Sequence, residues 1–586
     1  MPVDYAGNSL DKARQLDINS NAQSFRDRVD NLDLNDFYSF NLSSRSSFDL
    51  KLDGLKADAD VALIRDANNN GQFDQGEVLS TSTRSGKQAE SINEILGAGT
   101  YYIRVYPDGN AKTNYKLTVS ATPFNDAIST IISTSADLAI NTTSVKAEVN
   151  VNGAIASASP TNNTNIVAGT LRADTFNYQS GYAKTIINAN GNVDYGSGGR
   201  DLLNLSQIAS TSVTTNLANN SKGGVVYNAG NGNLLYDAIT LSDSSQILFQ
   251  GIETIQFKDK TVDLSVTPND PDFNKQWNLH MTGVHDAWRF TQGNDQVAIG
   301  IADTGLGANS NGIHPDLRST SFVANNYFDE SATYSHGTRV QGTIAAASNN
   351  GVGIAGINWN SPVQMIDVVG DNLGDYDLVQ ATQALINGAG GRKLVVNLSL
   401  SGGSSPAFEQ LVANNKDKVL FVIASGNQDK NTIASPASLA QTNNNVLAIG
   451  SSSGTKDWYG NPTKPGDRIS YKDPVWWGSN YGDGLTLMAP SEFIATSASR
   501  ADASATYEFG YSEYFNGTSA STAVVTGIAS LVWSANPNLT AGQIKTILSE
   551  TAYDLGAAGY DTVYGSGLVN ADAAVRRAEA LERGFA

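Results

Sequence analysis

The stretch Val297-Ala-Ile-Gly-Ile-Ala-Asp-Thr-Gly305 decides how this chain is read. Apolar and small residues run without alternation and stop at a carboxylate followed by Thr-Gly. Such a run, bounded by turn residues, is a strand buried on both faces, as parallel sheets require. Asp303 then stands at the C-terminal end of a parallel strand, where open α/β sheets build their sites. Similar runs follow at Val363-Gln-Met-Ile-Asp-Val-Val369, Leu394-Val-Val-Asn-Leu-Ser-Leu400, Val419-Leu-Phe-Val-Ile-Ala424 and Val446-Leu-Ala-Ile449. Helical stretches at 377–388 and 407–414 lie between them. This alternation predicts a three-layer α/β region over 266–586, with a parallel sheet covered on both faces. Its end adds two helices. One spans 519–535 and stops before Pro537; the next starts at Thr540, whose hydroxyl pairs with Gln543 as a capping box.

Towards the N-terminus, runs give way to alternation. Asp36-Phe-Tyr-Ser-Phe-Asn-Leu42, Ser47-Phe-Asp-Leu-Lys-Leu52, Val61-Ala-Leu-Ile64, Tyr101-Tyr-Ile-Arg-Val-Tyr106 and Tyr115-Lys-Leu-Thr-Val119 read as short strands at close intervals. A β-sandwich is expected over 1–122. This part resembles the bacterial pre-peptidase C-terminal domain, a β-sandwich accessory module of secreted peptidases. Residues 123–165, rich in Ser, Thr, Ala and Asn, read as a linker with one strand pair. A small β-rich domain is expected over 166–265. There Ala173-Asp-Thr-Phe176, Gly196-Ser-Gly-Gly-Arg-Asp-Leu-Leu203 and the segment from Gly251 to Leu264 resemble a degenerate haemolysin-type calcium repeat. The repeat core Gly-Gly-x-Gly-x-Asp occurs once, with Ser197 replacing a glycine. One imperfect copy is not expected to stack into a β-roll.

Composition narrows the chemistry. The 586 residues carry a net charge of −19, no cysteine and four histidines. The missing cysteines exclude disulfides, thiolate metal sites and a cysteine nucleophile. The acid excess argues against nucleic acid and anionic membranes as partners, and no segment reads as a membrane span. The first eighteen residues lack the basic head and apolar run of a secretory signal, so the chain stays inside, leaves by another route or is a processed form.

A histidine base therefore has four candidates. His280 and His285 are five apart, off a shared helical face, and read as packing residues. His314, in His-Pro-Asp, orders a turn. His336 lies in Ser-His-Gly-Thr-Arg-Val-Gln-Gly, where small residues let a helix begin against other backbone. Ser519 follows Phe515-Asn-Gly-Thr and opens a long helix, whose N-terminus favours developing negative charge. Asp303, His336 and Ser519 are weak signals singly. Together, in that order, they resemble the subtilisin-like serine peptidases, the subtilases.

The matching motifs are Ile301-Ala-Asp-Thr-Gly305, Ser335-His-Gly-Thr338, Ala424-Ser-Gly-Asn427 and Asn516-Gly-Thr-Ser-Ala520. Tyr481-Gly482, Leu487-Met-Ala-Pro490 and Tyr564-Gly-Ser-Gly-Leu-Val-Asn570 support them. The family's usual Pro and His after the nucleophile are absent from Thr522-Ala-Val-Val525. The resemblance implies a serine endopeptidase with Ser519 as nucleophile, His336 as base, Asp303 orienting it and Asn427 donating to the oxyanion. It also implies that Ser399, Ser401, Gly402, Ala424 and Gly426 border an extended peptide substrate. Arg339 and residues 535–540 are similar to the kexin-like branch, and Asp429 would then supply an acidic wall for a basic P1 residue. A non-catalytic binding protein and an esterase are the rival readings.

Calcium is the expected cofactor. Asp66-Ala-Asn-Asn-Asn-Gly-Gln-Phe-Asp-Gln-Gly-Glu77 places oxygen side chains Asp66, Asn68, Asn70, Asp74 and Glu77 at calcium-loop positions. Gln72 offers a carbonyl and Gly71 the sharp turn, between flanks that read as strands. The subtilase resemblance, especially to thermitase-like members, implies a second site. It comprises Asp270, Asp316, Asn350 and the carbonyls of Ala347, Val352 and Ile354. The remaining expectations are polypeptide substrates, a monomer, and a place outside the cell or in its envelope. Region 166–265 lies where a pro-segment would, with activating cleavage expected near 258–268.

Overall fold

The computed structural model describes residues 5–31, 33–42, 46–66, 71–73, 78–84, 86–96, 99–109, 111–123, 161–230, 232–322, 335–368, 377–471, 477–500 and 506–585. They form two compact units, Met1–Val151 and Asn152–Ala586.

The first unit is the expected β-sandwich. One sheet orders Arg14–Leu16, Asp36–Leu42, Gly99–Pro107, Ala59–Ile64 and Val78–Ser82; the other orders Gln23–Val29, Thr113–Pro123, Ser46–Asp53 and Glu90–Leu96. Alternate residues of both sheets, including Phe40, Phe48, Leu50, Val61, Ile103 and Leu117, fill the core between them. Of the proposed calcium loop, Asn68, Asn70, Asp74 and Glu77 lie outside the described residues. Gly71, at φ +70°, donates its amide to Asp66 Oδ2 at 2.9 Å. The flanking strands Ala59–Ile64 and Val78–Ser82 pair antiparallel.

Residues 161–264 correct the expectation of a β-domain that does not stack. Thr161–Ala168, Tyr182–Asn188 and Gln246–Gln250 pair in parallel in one sheet. Thr175–Asn177, Leu202–Leu205 and Thr254–Phe257 pair in parallel in a second. The chain passes from one sheet to the other three times, which makes three rungs of a parallel β-roll. An antiparallel excursion through Thr214–Asn216, Val225–Asn228 and Asn233–Thr240 is inserted between the second and third. Equivalent turn positions carry Asp174, Asp201 and Glu253. The amide of Asp174 donates to Asp201 Oδ1 and that of Asp201 to Glu253 Oε2, both at 2.7 Å. Backbone N–H groups of one rung thus satisfy the acids of the next. The strand Thr161–Ala168 also shortens the expected linker, whose residues 124–160 lie outside the described set.

The roll is built into the same unit as the α/β region. Asp237 of the roll receives Arg576 Nη2 and Arg289 Nη1, both at 2.9 Å; Asp237 and Arg576 are nearly fully buried and Arg289 mostly so. Arg576 also donates to Leu235 O, Arg583 to Gly223 O, and Gly251 donates to Asp572 Oδ2. Among the described residues, none of the roll's hydrogen bonds goes to Asp303, Asn427 or Ser519.

The α/β region has a seven-stranded, wholly parallel sheet. Its order is Ser321–Phe322, Val363–Asp367, Val297–Asp303, Lys393–Leu398, Val419–Ala424, Val446–Ser452, Leu487–Pro490. Successive residues of one strand feed opposite cores. Val297, Ile299 and Ile301 pack with Val524 and Ile528 of the helix Gly517–Ala535. Ala298 and Ala302 pack with Ala381, Leu385 and Phe408 of the helices Leu378–Gly388 and Pro406–Asn414. Thr540 caps Ala541–Glu550 with the full capping box. The sequence reading missed a further helix, Ala571–Glu582, which carries the buried Arg576. Among the described residues, no helix is long and apolar enough to cross a membrane.

Candidate active site

Asp303 ends an interior strand of the sheet and is 2% exposed. His336 opens the helix His336–Ala345 after Ser335, which stands at φ +39°. That left-handed conformation costs a non-glycine residue energy, and the Ser335 hydroxyl oxygen, accepting from Ala498 N at 3.0 Å, helps hold it. The helix begins hard against the Asp-Thr-Gly turn: a Cβ on Gly337 would lie 2.1 Å from Gly305 O. Two bonds lock the two segments, Gly337 N to Thr304 Oγ1 at 2.9 Å and Gly307 N to Thr338 Oγ1 at 3.0 Å. In this frame His336 Nδ1 lies 2.7 Å from Asp303 Oδ1, while Thr304 N donates to the same oxygen at 2.8 Å. The carboxylate so fixes the tautomer that leaves Nε2 as the working nitrogen. The His336 side chain is 30% exposed, open enough to meet a reactant.

Ser519 is the third residue of Gly517–Ala535, all of whose residues are buried. Gly517, at φ +83°, turns the chain into the helix. Ser519 Oγ donates to Ser399 O at 2.9 Å, and Ser399 Oγ donates back to Ser519 O at the same distance. The Ser519 segment is thereby tied to the end of the strand Lys393–Leu398. Asn427 follows the strand Val419–Ala424. Its Oδ1 accepts from Thr518 N at 2.8 Å and Thr518 Oγ1 at 2.9 Å, which sets the way the amide faces. Gly426, at φ +104°, carries the turn, and Asn480 Oδ1 takes the amide of Gln428 at 3.0 Å. The positioning residues Thr304, Ser335, Thr338 and Thr518 had no role in the sequence reading, although all four sit inside the quoted motifs.

Two sequence expectations fare differently. Asp270, Asp316 and Asn350 do come together. Asp270 Oδ2 accepts from Asn349 N at 2.7 Å, and Asn350 Nδ2 donates to Asp316 Oδ1 at 3.0 Å. Ile354 N and Tyr511 OH each reach Asp316 Oδ2 at 3.0 Å. Burial, with the nearby Asp270 charge adding to it, pushes the Asp316 carboxyl up to about 6. His314 orders this loop as expected, with Nδ1 accepting from Asp316 N at 3.1 Å. Asp429, by contrast, does not stand as a bare acidic wall. Arg468 Nη1 and Ser470 Oγ both bond its carboxylate, and the guanidinium already counters its charge. Of the other proposed substrate contacts, Ser401 and Gly402 are exposed beside the buried Ser399, Ala424 and Gly426.

A carboxylate, an imidazole and a helix-start hydroxyl at the C-terminal edge of a parallel sheet define an acyl-transfer class of site. The comparisons agree. The subtilase family model matches residues 294–567, and that of the bacterial pre-peptidase C-terminal domain matches 34–107. Subtilisin Savinase from Lederbergia lenta is 33% identical over 48% of this chain and 91% of its own length. The alkaline protease of Alkalihalobacillus alcalophilus is 33% identical, and the match spans 64% of it. An extracellular protease of Xanthomonas campestris is 29% identical over 55% of this chain and 58% of its own. A protease structure from Pseudoalteromonas arctica is 25% identical, covering 53% of this chain and 99% of that one, with a TM-score of 0.42. The chain belongs to the subtilase family of serine endopeptidases.

Proposed function

We propose that the chain hydrolyses peptide bonds through an acyl-enzyme. The observation that carries this is the Asp303–His336 bond of 2.7 Å, in a frame that also holds Ser519 at the N-terminus of a wholly buried helix. Ser519 Oγ leaves Ser399 O, passes its proton to His336 Nε2 and attacks the scissile carbonyl. His336 then protonates the leaving amine, while Asp303 stabilises the imidazolium. Asn427 Nδ2 donates to the oxyanion, as the engagement of Oδ1 by Thr518 favours. Substrate runs alongside Ser399–Gly402 and Ala424–Gly426. The reading carries no P1 preference, since Asp429, its proposed carrier, is already paired with Arg468.

Calcium fits the Asp270–Asp316–Asn350 cradle. Asp316 is fully buried, Asp270 nearly so, and neither has an ion-pair partner among the described residues. An ion held there by the two carboxylates, the loop carbonyls of Ala347, Val352 and Ile354 and the Asn350 amide, once turned to present its oxygen in place of the nitrogen that now donates to Asp316, would supply the missing positive charge. It would tie the segment before Phe273 to the core. The chain acts outside the cytoplasm, a reading supported by the extracellular protease among its relatives. Labelling with a fluorophosphonate tests the activity. Wild type should label and cleave peptide amides; Ser519→Ala should do neither. Labelling without amide turnover would favour an esterase, and no labelling would overturn the reading.

A further inference from the structure

Beside the Asp237 ion pairs, the seam between roll and peptidase core holds a second cluster. Glu253 comes from the third rung of the roll; His285 and Asp286 come from the short helix Val284–Ala287. Their side chains are 1%, 0% and 2% exposed. The sequence reading set His285 aside because it is five residues from His280. Gly283, at φ +66°, breaks the helix between them and redirects the chain.

We infer that Glu253, His285 and Asp286 form a site for one first-row divalent metal ion of the zinc class, buried where the roll meets the peptidase core.

The first support is convergence. Ligand atoms of the three residues lie within 4.8 Å of one another. His285 Nε2 is 3.0 Å from Glu253 Oε1 and 3.7 Å from Asp286 Oδ2. Ligands at about 2.0–2.1 Å from a tetrahedral ion stand roughly 3.3 Å apart, between those two values. The second support is an orphan: Asp286 Oδ2 is buried, faces His285 Nε2 and has no hydrogen-bond partner. A buried carboxylate oxygen left in that state is costly unless something else meets it. The third is a supporting shell of the kind metal ligands have. Glu253 Oε2 accepts from Asn192 Nδ2 at 2.9 Å and Asp201 N at 2.7 Å, and Asp286 Oδ1 accepts from Ser265 Oγ at 2.8 Å.

Charge points the same way. Asp237, Glu253, Asp286 and Asp572 are all buried in this seam, against the guanidiniums of Arg289 and Arg576. With His285 neutral, as a metal ligand is, a single dication would balance what the two arginines leave over. Imidazole with carboxylates selects zinc-like ions over calcium, which prefers all-oxygen shells. This site is separate from the calcium cradle and independent of the proposed activity.

The test uses the full chain carrying Ser519→Ala and His336→Ala, so that neither self-cleavage nor the cleft histidine interferes. The protein is stripped with phenanthroline, given excess Ca2+, loaded with Zn2+ and dialysed. About one equivalent of zinc should remain, with a Tm several degrees above the stripped protein. Adding His285→Gln should reduce retained zinc at least tenfold while the circular dichroism stays native. Retention below a tenth of an equivalent before that change, or equal retention after it, would overturn the inference. If the His285→Gln chain does not fold, X-ray absorption on the zinc-loaded parent decides. One imidazole nitrogen with carboxylate oxygens supports the site; a shell without imidazole overturns it.

Discussion

Two carboxylate–histidine hydrogen bonds among the described residues, Asp303–His336 and Glu253–His285, differ in almost everything but their contact. Asp303–His336 spans 2.7 Å with the imidazole 30% exposed. Glu253–His285 spans 3.0 Å with both side chains sealed. The first is mounted on a strand end and a helix start that share one turn, with Ser519 supplied by a second helix start. The second is mounted on a roll and a broken helix, with two further carboxylates near it and, among the described residues, no hydroxyl bonded to the pair. Proximity of an acid to a histidine therefore says little. What surrounds the far nitrogen, a reactant cleft or packed chain, decides between catalysis and cohesion.

The comparison can be tested by removing one member at a time. Ser519→Ala should lower amide hydrolysis by about 10⁵- to 10⁶-fold and leave the melting temperature in place, read by peptide turnover and calorimetry. Arg576→Ala should do the reverse. It leaves Asp237 and Asp572 short of a cation, which costs about 3–5 kcal/mol, while the surviving folded enzyme keeps its kcat. A large loss of kcat with unchanged stability would erase the distinction between cleft and seam. Asn427→Ala should lower kcat about 100- to 1000-fold with little change in KM.

Calcium should act on stability through Asp316. Its folded value of about 6 lies above its ordinary 3.8. Without an ion, the stability its neutral form retains below about pH 4 is lost as pH rises through about 6. An ion that meets the carboxylate reverses that loss, so calcium should raise Tm more at pH 8 than at pH 5. EGTA should lower activity and Tm together; an equal calcium shift at both pH values would remove Asp316 from the site. The smallest expected effect is Thr540→Ala, about 1 kcal/mol from the lost cap, read by denaturant midpoint.

The cleft was legible because its signals are local. Asp303-Thr-Gly, His336-Gly-Thr and Gly-Thr-Ser519 each place a reactive side chain beside the small residues that let two backbones meet, and the parallel strands announce themselves as apolar runs. The seam was not legible because its partners are far apart in the chain. Nothing near Asp237 signals Arg576, and a five-residue spacing hides His285 until Gly283 is seen to break the helix. The roll escaped for a related reason. Its rungs are held by amides of one turn donating to the acid of the next, so the glycine-rich calcium repeat that would betray it is largely gone. Asp429 shows the opposite error, a charge assigned to substrate that its own chain had already claimed.

The pairing of Asp237 with Arg576 also sets a clock. The two are separated by 339 residues. At about 5–20 residues per second, the ribosome delivers the arginine roughly 17–70 seconds after the aspartate. Until then the roll presents its acidic face to water, and the peptidase core lacks the helix that closes it. Assembly of this unit therefore waits on the later of the two partners, and a newly made chain cannot complete it before residues 571–582 have emerged.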